Sequence, residues 1–335
     1  MMGNNTILLS HGSGGRQSKE LLDIIYRTLS HVVINHGEDS GVFYAVEGKA
    51  AITTDSYTID PIFFPGGNIG KLAICGTTND LAMVGAIPKY ITLSLIIEEG
   101  FGFDDLKKIL ISIRDETKKG NISIIAGDTK IVSRGKMDKI FINTAGFGEI
   151  ITNTAISSHN AMPDDAVIIT GDIGDHGAAI MAFRNGFESS LKSDCANVAP
   201  LIKALLEQGV IIHALRDPTR GGLASILNEI ASASNVNIVL EEEKLPIKES
   251  VSGVCDALGI DPLYMACEGR AVIICPQDET DKVLKILHNE PLGSNAQIIG
   301  LVAERSDEPK LYLRTFIGAK RILPLLSREQ TPRIC

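Results

Sequence analysis

Six positions in this 335-residue chain carry side chains whose type and placement suit chemistry on a phosphorylated ligand: Asp55, Asp80, Asp128 with Lys130, Asp217 and Glu268. Asp55 closes the apolar, β-branched run from Ala50 to Thr54. Asp80, with Asn79 beside it, lies on a helical pattern that begins after Pro65-Gly66-Gly67 and Gly70. Asp128 and Lys130 follow the run Ile122, Ile124, Ile125 and two small residues. Strand ends and glycine turns are where a fold presents functional groups, so these acids are placed to meet one ligand. Mg2+ held together with phosphates takes one or two carboxylates and completes its octahedron with water and phosphate oxygens. Asp55, Asp80 and Asp128 suit such a nucleotide–metal site. Each alone could cap a turn or helix, as Asp beside Gly does for local hydrogen-bonding reasons, but three in one stretch of chain are less readily explained that way.

The remaining candidates are scattered. In Leu9–Arg16 a glycine loop leads into a helix predicted from Ser18 to Ser30, and the N–H groups of Gly12, Gly14 and Gly15 could line an anion. The loop lacks the lysine–serine ending of a P-loop, and a plain connector reads as well. Arg216, Asp217, Thr219 and Arg220 stand before Gly221-Gly222 and an amphipathic helix, where the acid either caps the helix or faces an anionic ligand beside the arginines. The loop Gly171–Gly177 offers Asp172, Asp175 and His176 to a phosphate, with solvation the alternative. Glu268 precedes Gly269 and a buried strand. Partial desolvation there would raise its pKa towards the range useful for moving protons, and a surface turn is the competing reading. His176 is the next candidate for a base. Cys255, Cys267 and Cys275 lack metal-ligand spacing and read as core thiols. Cys335 lies on a polar stretch expected to be mobile, and the segment from Pro324 spans at most ~36 Å when extended, long enough to carry a covalent substrate between two sites.

The elements that must hold these groups alternate strand and helix. A strand at Tyr90–Ile97, a helix at Phe103–Lys118 and a strand at Ile140–Glu149 give a β–α–β rhythm. The turn-rich 152–165 separates this half from a second that opens with the strand Ala166–Thr170. The reading is 1–153 as a first domain, 154–323 as a second and 324–335 as a flexible tail. An apolar content of 44% with 22% charged residues is that of a globular chain, and no run approaches the ~18 apolar residues of a membrane span. A net charge of −9 without a basic stripe argues against nucleic acid as a partner. Six cysteines without a spaced framework, and no basic region followed by an apolar core at the start, point to the cytoplasm.

LSHGSGGR, the stretch TTDSY through DPIFFPGG to IGKLAICGTTNDLAMVGA, AGDTKIV, RDPTRGG and the final PRIC together resemble the HypE family of hydrogenase maturation proteins, over essentially the whole chain. This family is grouped with aminoimidazole ribonucleotide and selenophosphate synthetases. Asn68, where such proteins often carry Asp, and Ala126, where a second glycine is usual, are departures. The resemblance implies an α/β (α+β) chain of two PurM-like domains, the first forming a dimeric β-barrel and the second a mixed sheet with helices. It implies a homodimer, an ATP site with Mg2+, and phosphates held by Asp55, Asp80, Asp128 and Asp217, with Lys130 and Glu268 near the reacting group. It further implies that Cys335 accepts a carbamoyl group from HypF, that ATP-dependent dehydration converts the S-carboxamide to a thiocyanate, and that the cyanide passes to iron on HypC–HypD. Two alternatives are a selenophosphate-synthetase-like enzyme, disfavoured because the N-terminal glycine loop has no cysteine, and a nucleotide-binding scaffold that does no chemistry.

Overall fold

The computed structural model describes residues 6–12, 15–33, 43–45, 47–326, 330–331 and 333–335. In chain order the first half runs α1 (Gly15–Thr28), β1 (Ala50–Tyr57), a small hairpin of β2 (Phe63–Phe64) and β3 (Gly67–Asn68), α2 (Ile69–Ala82), β4 (Ala86–Glu98), α3 (Phe103–Lys119), β5 (Ser123–Val132) and β6 (Ile140–Ile150). The sheet order is β1-β6-β4-β5, with only β4 and β5 parallel. α2 is buried on nearly all sides, as a helix with so little polar surface must be. Asn68 starts it: its side-chain carbonyl accepts from the N–H groups of Gly70 and Lys71 at 2.9 and 3.1 Å, while its amide donates to Ser112 at 2.7 Å. This departure therefore contributes a cap and no charge. Gly76 lets α2 lie on β1, because a Cβ there would sit 2.4 Å from the Tyr57 hydroxyl.

One expectation needs correction. β1 runs on past Asp55 to Tyr57, and β5 continues through 126–130, so Asp128 and Lys130 stand within a strand, their residues paired with Ser94 and Ile96 of β4. The parallel ladder holds that stretch extended after a register shift at Ile125. One chain also forms no closed barrel. β1 and β5 are the two edges of a four-stranded sheet, and one face of β1 is open, with Ile52 79% exposed.

The second half runs β7 (Ala166–Ile169), α4 (Asp175–Arg184), α5 (Ala199–Glu207), β8 (Ala214–Arg216), α6 (Gly222–Ser234), β9 (Val236–Glu241), α7 (Glu249–Leu258), β10 (Val272–Cys275), α8 (Thr280–His288), β11 (Gln297–Arg305), β12 (Leu311–Arg314) and β13 (Lys320–Ile322). Its mixed sheet has the order β13-β12-β9-β11-β7-β10-β8. β7 and β10 are apolar at every position because both faces are covered: α6 packs on Val167, Ile169, Val272 and Ile274, and α5 with α8 on Ile168 and Ile273. The halves meet along α2, whose Cys75 shares a core with Cys195 and Ala266 of the second half. Among the described residues no helix is long and apolar enough to cross a membrane.

Candidate active site

Where α2 meets the second half, carboxylates from both halves converge. Asp80, on the last turns of α2, accepts a hydrogen bond from Thr53 of β1 at 3.0 Å. Burial pushes its pKa up to about 6, and the charge of Asp55 on the same strand adds to the rise. Asp217, just after β8, is pushed up to about 7 by burial and then by Asp80 and Asp55. Glu268 is buried at 2% exposure and its Oε1 has no partner. Burial, then Asp217, Asp194 and Asp55, raise it well above the usual carboxylate range. The cluster thus holds more negative charge than its surroundings neutralise.

The backbone around Glu268 is fixed by groups with no sequence signal of their own. Asp194 accepts from the N–H groups of Glu268 and Gly269 at 3.0 and 3.3 Å. Asn79, expected among the nucleotide ligands, is buried and bridges the halves: its amide donates to the carbonyls of Ala196 and Glu268 at 3.0 and 3.3 Å, and its oxygen accepts from the Val198 N–H at 2.8 Å. Asn79 therefore positions Glu268 from the opposite half of the chain.

Cys335 is seated over this cluster. Residues 333–335 are docked: the N–H groups of Thr58 and Asp60 donate to the carbonyls of Cys335 and Arg333 at 3.2 and 3.4 Å, and the Ile334 side chain is fully buried. Arg220 points a guanidinium nitrogen at the Cys335 Sγ from 3.8 Å. Burial, and next the charge of Glu268, push the thiol up to about 11. In this pose burial favours the protonated form of both the Cys335 thiol and the Glu268 carboxyl group.

The other candidates fall elsewhere. Asp128 and Lys130 are exposed on the edge strand β5 and pair with each other at 3.3 Å. Register places Asp55 opposite Thr144, Thr144 opposite Leu93 and Leu93 opposite Gly127. Three strand spacings, about 14 Å, then separate Asp128 from Asp55, too far for one ion held by side chains of a single chain. Gly12 ends a short 3-10 turn packed so closely on β5 that a Cβ would come within 2.8 Å of Ile131. Gly15 opens α1, and Gly14 lies outside the described residues. Asp175 and His176 are buried, so the solvated reading fails for them; Asp175 pairs with Lys248 at 2.6 Å. Both ring nitrogens of His176 are engaged and burial lowers its pKa to about 4, which removes it as the alternative base. Cys255, Cys267 and Cys275 are buried free thiols.

Among the described residues no group of three or more His, Cys, Asp or Glu side chains is arranged to hold a metal by itself. The donors nevertheless suit Mg2+: they are hard oxygens, and the charge of Asp55 raises the proton affinity of Asp80, while Asp80 and Asp55 raise that of Asp217, a repulsion that a divalent cation would relieve.

Both halves match a single class. The profile of the AIR synthase related protein N-terminal domain matches residues 37–150, and that of the C-terminal domain matches residues 162–310. The two-domain PurM-like fold with mixed sheets is that of the AIR synthase related proteins. Carbamoyl dehydratase HypE of Rhizobium leguminosarum bv. viciae is 44% identical over 336 residues, covering 99% of this chain and 96% of its own. A crystal structure of hydrogenase maturation protein HypE in complex with ATP superposes with a TM-score of 0.94 at 41% identity, covering 98% of this chain and 100% of that one. The HypE chain similar to this one in a HypE–HypF complex gives a TM-score of 0.80 at 42% identity, over 93% and 100%. Within the class, the chain belongs to the HypE family of carbamoyl dehydratases.

Proposed function

We propose that this chain is an ATP-dependent carbamoyl dehydratase acting on its own Cys335 and serving hydrogenase maturation by supplying a cyanide ligand for iron. The observation that carries the reading is the docking of Cys335 within the electrostatic reach of buried Glu268, beside Arg220, in a chain that matches HypE over 99% of its length. The balanced reaction is S-carboxamide plus ATP to thiocyanate, ADP and phosphate. ATP supplies the phosphoryl group that turns the amide oxygen into a leaving group, and Asp80 and Asp217 would hold Mg2+, which would offset the charge of the transferring phosphoryl group.

The chain's own residues do the rest. Cys335 holds the substrate through its sulfur and Thr58 fixes its backbone. Glu268, once deprotonated, accepts the amide proton. Its raised pKa makes it a stronger base than an exposed carboxylate, at the expense of the fraction ionised at neutral pH. Arg220 faces the sulfur. Asp128 and Lys130, exposed on β5, are assigned to phosphates or to a site completed across a homodimer in which the open sheets of two chains close a barrel. HypF is assigned as the carbamoyl donor and HypC–HypD as the iron-bearing acceptor, in the cytoplasm. The tail must leave its docked pose to meet either.

Mass spectrometry of the C-terminal peptide after incubation with HypF, carbamoyl phosphate and ATP tests the proposal. Gain of a carboxamide on Cys335 followed by loss of one water is expected. A carboxamide that persists with ATP intact would leave a scaffold that binds nucleotide without chemistry.

A further inference from the structure

The docked tail is gripped mainly through its backbone, and one grip comes from a side chain that the dehydration chemistry leaves unused. His176, at the start of α4, is fully buried. Its Nε2 lies 2.8 Å from the Ile334 carbonyl and its Nδ1 2.7 Å from the Ser193 hydroxyl. A carbonyl can only accept, so Nε2 carries the proton. In the neutral ring Nδ1 then accepts from the Ser193 hydroxyl, whose oxygen in turn accepts the Cys195 N–H at 3.0 Å. The Phe64 ring meets the imidazole edge-on at 5.5 Å, and burial keeps it neutral. With the tail docked, the ring is therefore fixed in plane and tautomer.

On the far side of the same three residues, Arg184 of α4 donates to the Arg333 carbonyl at 2.6 Å, and Arg333 donates to the Thr58 carbonyl at 2.8 Å. With the Ile334 side chain buried, these contacts set the tail's position along the groove. A shift of one residue would put Ile334, an apolar side chain, where the thiol must meet Glu268. The His176 bond falls on the peptide that directly joins Ile334 to Cys335, so among these contacts it acts closest to the reacting sulfur.

We infer that His176, oriented by Ser193, is a positioning residue that latches the Ile334 carbonyl and so holds Cys335 in register with Glu268. Its catalytic consequence rests on the proposed dehydration, whereas the latch itself is measured without it. The test is alkylation of the full-length protein with iodoacetamide, quantified at each cysteine by peptide mapping. Cys335 reacts when the tail undocks, while the other five thiols are buried and report unfolding.

His176→Leu removes the donor and is expected to speed Cys335 labelling about two- to tenfold, the span of one neutral hydrogen bond, with the other five thiols still protected. His176→Gln, whose amide nitrogen can occupy the place of Nε2, should restore much of the protection. In the carbamoyl-transfer assay the Leu variant should accept the carboxamide at the parent rate, because that step uses the free tail. Dehydration should slow through loss of the register of Cys335 with Glu268, with the KM for ATP unchanged. Unchanged Cys335 labelling in the Leu variant would overturn the inference, and so would labelling of all six thiols together, which would make His176 a core residue. If the parent protein shows no dehydration, the proposed function fails while the labelling comparison still decides the latch.

Discussion

Two groups of acids in this protein occupy opposite electrostatic regimes. Asp80, Asp217 and Glu268 lie at the junction of the halves, where burial and mutual repulsion raise their pKa values. Asp128 lies on an edge strand beside Lys130, with both side chains more than half exposed. Coulomb interactions at a water-facing edge are several times weaker than in an enclosed site, and they are screened by salt. The first group is prepared for proton and cation chemistry by the single chain. The second acquires a comparable field only when a ligand or another chain covers it.

Substitution at the reacting centre should break that comparison most sharply. Cys335→Ser is expected to abolish both carboxamide and nitrile formation. Glu268→Gln should accept the carboxamide normally and accumulate it, with dehydration slowed roughly 10²–10⁴-fold, the range of general-base catalysis. Equal nitrile formation by the Gln variant, measured on the C-terminal peptide, would remove Glu268 as the base. Because the base must be ionised, dehydration should rise with pH through the Glu268 pKa, and burial places that acid limb above the ordinary carboxylate range.

On the exposed side, Lys130→Met should cost about 10- to 100-fold in dehydration if the lysine reaches phosphate, as loss of a charged hydrogen bond does. The effect should shrink between 0.05 and 0.5 M salt if the lysine stays water-facing, and persist if a second chain covers it. A Lys130→Met protein with parent kinetics would confine the site to the buried cluster.

The smallest expected effect concerns stability. Asp217 has a higher pKa folded than unfolded, so between the ordinary carboxylate range and about 7 the native state binds the extra proton, and stability falls as pH rises across that window. Asp217→Asn should therefore gain a few degrees in melting temperature over the parent at pH 8 and little at pH 5, in the absence of nucleotide and divalent cation. A gap that does not widen with pH would show that Asp217 is not strained by its neighbours.

Much of this was legible in the chain. Asp55 was expected at the end of a strand, Asp80 on a helix, and Asp217 and Glu268 beside glycine turns, and burial and charge couple all four at one junction. The alternation of strands and helices gave two halves, each with its own sheet. What escaped the sequence depends on contacts between distant residues. Asp194 sits in a polar loop whose composition says nothing of the two N–H groups it accepts from. Thr58 holds a residue far along the chain, and His176, read from the sequence as a phosphate contact or an alternative base, instead meets the tail. β5 carries Asp128 through what looked like a stretch beyond a strand, because the ladder with β4 outweighs the preference of Gly127 for a turn.

Asn79 bears on how far the halves can be treated as modules. One amide on α2 serves three backbone groups in the loops 196–198 and at 268, so helix register in the first half and loop geometry in the second are specified together. Chimaeras that join the first half of one family member to the second half of another should retain activity only when this amide and the loops it holds come as a matched set. A one-residue insertion in α2 ahead of Asn79 turns the helix by about 100° and should disconnect nucleotide-side acids from Glu268 even though both domains still fold.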